Sequence, residues 1–76
     1  LEQDLRQRYL RLGEAVAAQD QAASLDLLHA LKGLAGQAGL HLVCEAVEHW
    51  EAQLQQGAGL RKDAWQALGR LIDSVL

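Results

Sequence analysis

The chain has 76 residues, half of them apolar, 22% charged, and a net charge of −3, enough for one small domain and a single core. Cys44 is the only cysteine, which excludes an intrachain disulfide and a cysteine-rich zinc module. No basic run exists to neutralise nucleic-acid phosphates, no apolar stretch approaches the ~18 residues of a membrane span, and no signal-peptide pattern opens the chain.

Sixteen leucines and thirteen alanines dominate, proline and threonine are missing, and β-branched residues are few, so strands lack their usual material. An all-α fold is expected. Leu1, Leu5, Leu12 and Val16 share one stripe with Tyr9 at its edge, which predicts a first helix over 1–18. Gln19 and Asp20 break it, and Asp20 is a candidate N-cap for a second helix over 21–38. Gly39 is the expected left-handed stop of that helix. A third helix over 40–55 aligns Val43, Ala46, Val47, Trp50 and Leu54. The one clear loop, 56–59, leads to a fourth helix over 61–75 that aligns Ala64, Leu68, Leu71, Ile72 and Val75. Four amphipathic helices with short connections predict an antiparallel up-down four-helix bundle filling 1–76. The chain opens on Leu1 and contains no methionine, so it is expected to be a piece of a longer protein.

On the second helix the core stripe is Ser24, Leu27, Leu28, Leu31, Leu34, Ala35 and Ala38. His29 falls about 180° from its centre, so its imidazole is expected in solvent. Ala22, Leu25, Asp26, Lys32, Gly33, Gly36 and Gln37 surround it on the outer face. Each mid-helix glycine costs about 1 kcal/mol relative to alanine. Gly33 and Gly36, at i+4 and i+7, clear side chains from around one ring and let another molecule come close. An exposed histidine is commonly an ordinary polar surface residue, and glycines often serve close helix packing. These two, however, lie on the solvent side, where packing does not ask for them. Lys32 at i+3 would attract an anion placed on the ring. A free imidazole titrates near about 6.5, so its neutral, nucleophilic form is available at neutral pH. No serine or cysteine stands beside His29 to form a hydrolytic pair. Acceptance of an anionic group fits better, and phosphoryl is the natural candidate.

Residues 29–39 read H-A-L-K-G-L-A-G-Q-A-G, which resembles the H-x-L-K-G-x-A-x-x-x-G signature of histidine-containing phosphotransfer (HPt) domains. His29, Leu31, Lys32, Gly33, Ala35 and Gly39 match. Asp20 and Glu48 also sit where such domains often carry acidic residues. Leu34 and Leu40 depart from the commoner small residues. The resemblance implies a relay in which a receiver domain's aspartyl phosphate phosphorylates the histidine on Nε2, and the group then passes to another receiver's aspartate. It makes His29 the phosphoacceptor and Lys32 the residue steadying the phosphoryl oxygens. Gly33 leaves room for the receiver; by their place on the outer face Gly36, Gln37, Leu25, Asp26 and Ala22 are read as the rest of its access and docking surface, and Gln37, two turns on, as a residue that could hydrogen-bond to the site. No cofactor is expected in this domain; Mg²⁺ is expected on the receiver. The resemblance further implies a monomeric, cytoplasmic domain, such as the C-terminal domain of a hybrid sensor kinase in the inner membrane.

Other readings are weaker. His41, Glu45, Glu48 and His49, with Cys44 at the edge, share a helix face at spacings that could ligate a divalent ion. A solvated polar face is the simpler account, so no metal is expected. Trp50 and Trp65 read as core or core-edge residues, Cys44 as a packed small side chain, and Arg6, Arg8 and Arg11 as a solvated face. An autokinase is disfavoured because no glycine-rich phosphate loop is present. The alternative function is a non-catalytic helical interaction module that docks a partner on the His29 face.

Overall fold

A computed structural model describes residues 2–76, and Leu1 of the predicted first stripe lies outside them. Four helices follow one another: α1 (Glu2–Ala17), α2 (Gln21–Gln37), α3 (His41–Gln55) and α4 (Lys62–Val75). The predicted boundaries are met within one residue at nearly every end. Asp20 caps α2 through its side chain, which accepts from the Ala23 N–H at 3.1 Å.

Three helices end the same way. Gln19, Gly39 and Gly57 take left-handed backbone conformations, with φ of 56°, 74° and 94°. The next residue's N–H then reaches back: Asp20 to the Ala15 carbonyl, Leu40 to Ala35 and Ala58 to Gln53, at 2.9 to 3.0 Å. This arrangement satisfies carbonyls that a helix end leaves free and turns the chain sharply. Connections this short force each helix to run back along its predecessor.

Each helix packs against its two neighbours around a square, α1 on α2 and α4, α3 on α2 and α4. The pairs that cross between helices are antiparallel throughout. Arg6 meets Asp73 at 2.9 Å, Tyr9 meets Trp65, and Gln21 donates to the Leu54 carbonyl at 3.2 Å. Leu5, Leu12, Val16, Leu28, Leu31, Ala35, Val43, Val47, Trp50, Leu54, Leu68 and Ile72 form the core. Ser24 is fully buried among them, and its hydroxyl donates to the Asp20 carbonyl at 2.8 Å, so no polar group there is stranded.

A clasp that the sequence reading did not anticipate joins α1 to α4. The rings of Tyr9 and Trp65 stack 4.7 Å apart and 6° from parallel. Tyr9 Oη donates to the Trp65 carbonyl at 2.8 Å, and Trp65 Nε1 donates to the Tyr9 carbonyl at 2.9 Å. Each ring lies over a glycine one turn further along the other helix: Trp65 over Gly13 and Tyr9 over Gly69. A Cβ at Gly13 would stand 2.5 Å from Trp65 Cζ2, and one at Gly69 would stand 2.7 Å from Tyr9 Cζ. These glycines are therefore packing residues, unlike those of α2.

Candidate functional site

His29 lies at the middle of α2 with its side chain exposed. Ala22, Asp26, Gly33, Gly36 and Gln37 are exposed around it, as the helical wheel requires. A Cβ at Gly33 would meet nothing within 4 Å, and one at Gly36 would only touch Cys44 Sγ at 4.0 Å. The surface beside the imidazole is therefore bare backbone, and no neighbouring helix uses the room.

Two placements differ from the wheel. Leu25, expected on the solvent face, is half-buried and packs against the core. Ala38, expected in the core stripe, is exposed where the chain leaves α2. The first follows from where α3 lies. Leu25, His29, Lys32 and Gly36 form one row at spacings of four, three and four. That row borders the groove between α2 and α3, so its first member is covered. Gln37 stands eight residues beyond His29, about 12 Å along the axis, too far to bond to a group on the ring.

The register of this groove is set by two contacts. Gly36 lies against Cys44, and Lys32 Nζ reaches Glu48 Oε1 at 3.3 Å. Cys44 Sγ donates to the Lys32 carbonyl at 3.6 Å, which pins the same level. One turn further, His29 on α2 comes level with Glu51 on α3. Glu51 is half-buried, and its buried Oε1 has no hydrogen-bond partner among the described residues. A groove of about 170 Å³ is lined by Lys32, Glu48, Glu51, Ala52 and Gln55. An acceptor without a donor in such a place is uncommon in folded proteins.

Lys32, expected to attract an anion placed on the ring, pairs with Glu48 across the groove, with the two side chains 41% and 56% exposed. A pair so open to water contributes about 0.2–1 kcal/mol, so the ammonium is only loosely held. Neither this pairing nor Glu51 was found from the sequence. The available signal was charge complementarity between two polar rows, and it needs the register of α2 against α3 to be read.

Among the described residues, no three His, Cys, Asp or Glu side chains gather so as to hold a metal ion. Glu48, counted among the possible ligands on α3, pairs with Lys32. Trp50 is buried and Trp65 sits at the core edge, as expected. Arg6, Arg8 and Arg11 are exposed, with Arg6 bridging Glu2 and Asp73.

An exposed histidine at the centre of a bundle helix, followed by a lysine and a cleared surface, is the pattern to compare with known families. The family model described as Hpt domain matches residues 1–76, the whole chain. The chain belongs to the Hpt domain family. No curated protein and no solved structure matches it. Hpt domains carry out histidine phosphotransfer in two-component signalling and interact with receiver domains in phosphorelays. The four-helix bundle is the architecture that this membership requires. No described helix of this Hpt domain is long and apolar enough to cross a membrane.

Proposed function

We propose that this Hpt domain relays a phosphoryl group between receiver aspartates, with His29 as the phosphorylated residue. The observation that carries the reading is the exposure of His29 beside two glycines whose missing side chains no neighbour replaces. In-line transfer needs the reacting atoms within about 3–3.5 Å, and a bare helix surface leaves a receiver room to come that close. The Nε2 lone pair attacks phosphorus of the receiver's aspartyl phosphate. The N–P bond forms as the acyl O–P bond breaks, and the aspartate leaves as a carboxylate. Onward transfer reverses these roles with a second receiver.

The proton on Nδ1 stays with the ring during this exchange, so a positive charge develops there. Glu51, level with His29 and holding an unpartnered oxygen, is the group suited to accept that N–H and keep the lone pair on Nε2. Lys32 steadies the phosphoryl oxygens, and the magnesium ion is carried by the receiver. Ala22, Asp26, Gly33, Gly36 and Gln37 form the docking face, and Leu25 supports it from below.

Incubation with a phosphorylated receiver tests the reading. The expected result is an acid-labile, base-stable label on this chain and matching loss of phosphate from the receiver. Binding of the receiver without any label would instead make the chain a docking module.

A further inference from the structure

The ion pair between Lys32 and Glu48 bears directly on the proposed chemistry. Lys32 belongs to the same row as His29, and its Nζ is held by a carboxylate on another helix. Residues at i and i+3 have Cβ atoms about 5–6 Å apart, so the long lysine side chain reaches either Glu48 or a group on His29. It cannot neutralise both fully.

We infer that Glu48 is a positioning residue that competes with the phosphoryl group of phospho-His29 for the Lys32 ammonium. The inference rests on His29 being the phosphoacceptor. Before transfer, Glu48 holds the ammonium toward α3 and leaves the face of the imidazole open to the incoming receiver. After transfer, two negative charges arrive at Nε2, and Lys32 exchanges the single charge of Glu48 for the phosphoryl oxygens. The half-exposed pair is weak enough to exchange. Glu48 then stands freed beside the phosphoryl, where its charge disfavours the phosphorylated state. This keeps the intermediate ready to pass its group on, which suits a relay better than a store.

The other charged groups around the phosphoryl would be Asp26 on α2 and Glu51 on α3. Neither holds Lys32, so Glu48 alone acts through the ammonium. Removing it should leave Lys32 on the phosphoryl and lower the phosphoryl's proton affinity. For one charge acting across several ångströms near the surface, the expected change is ~threefold to tenfold.

The test uses the chain phosphorylated with phosphoramidate, a small donor that requires no docking, and reads the phosphoryl titration midpoint by phosphorus NMR. Mass spectrometry first locates the label. If the wild type labels elsewhere than His29, the reading of the site fails and this inference fails with it. With the label on His29, Glu48→Gln is expected to lower the proton affinity ~threefold to tenfold. Glu48→Asp should restore most of the wild-type value, and Glu45→Gln, on an exposed position of the same helix, should change nothing. In a Lys32→Ala background the effect of Glu48→Gln should fall by at least half. A Glu48→Gln midpoint equal to wild type would overturn the inference. So would an effect of the same size with and without Lys32, because Glu48 would then act only as a distant charge.

Discussion

Alanine at four glycines should move stability in opposite directions, and the structure gives the magnitudes. At Gly33 the added methyl meets nothing within 4 Å, and at Gly36 it makes an ordinary contact with Cys44 Sγ at 4.0 Å. Both lie inside α2 with helical backbone, so alanine should gain about 0.4–1 kcal/mol by reducing the freedom of the unfolded chain. At Gly13 the methyl would stand 2.5 Å from Trp65 Cζ2 and 2.7 Å from Cε2, so the indole must retreat by about 1 Å to reach ordinary contact. That ring is held by its stack on Tyr9 and by the 2.9 Å bond from Nε1, so retreat damages the clasp. Overpacking of this kind costs about 1–3 kcal/mol. Less the same entropic gain, this leaves Gly13→Ala destabilised by up to about 2.6 kcal/mol, and Gly69→Ala should follow it for the same reason on Tyr9. In a domain this small, 1 kcal/mol moves Tm by roughly 4–8 °C. Thermal melts followed by helical circular dichroism therefore separate the two pairs clearly. A loss of more than about 1 kcal/mol in both Gly33→Ala and Gly36→Ala would refute the reasoning. Those glycines would then be packing residues, and the bare surface beside His29 would have another cause.

Gly33→Leu should leave labelling by a small phosphodonor unchanged while slowing transfer from a phosphorylated receiver, measured as the ratio of the two rates. Asp20→Ala removes the side-chain cap of α2 and should cost about 0.5–2 kcal/mol in urea denaturation. Burial pushes the Tyr9 phenol above its ordinary value near 10, and the charge of Asp73 adds to the shift. The folded state thus holds this proton more tightly than the unfolded state, so the stability it contributes is present below about pH 10 and is lost as pH rises through the folded value. Tyr9 is the only tyrosine, so phenolate absorbance reports it alone, and the alkaline loss of stability should be smaller in Tyr9→Phe.

Periodicity and end signals made the bundle legible. Asp20 and Gly39 mark the two ends of α2 by chemistry that operates within a few residues, and the structure places both as the sequence suggests. The exposure of His29, Gly33 and Gly36 was equally local, because a helical wheel needs no partner helix. Pairings between helices were not legible. Tyr9 with Gly13, and Trp65 with Gly69, repeat one aromatic-to-glycine spacing of four, yet only the antiparallel register of α1 on α4 turns the two into a clasp. Leu25 escaped for a related reason. A wheel drawn for one helix assigns a flank to solvent until the neighbour that covers it is known. Lys32 with Glu48 and the unpartnered oxygen of Glu51 depend in the same way on the level of α3 beside α2.

The most direct measurement is phosphoryl transfer from a phosphorylated receiver to the wild type and to chains lacking one histidine each, His29→Gln, His41→Gln and His49→Gln. His29 is exposed, so its replacement should change stability by no more than about 0.5 kcal/mol and leave the circular-dichroism spectrum intact. The account predicts full labelling of the His41 and His49 variants and none of the folded His29 variant. Labelling that persists in His29→Gln and disappears in either of the others would contradict it.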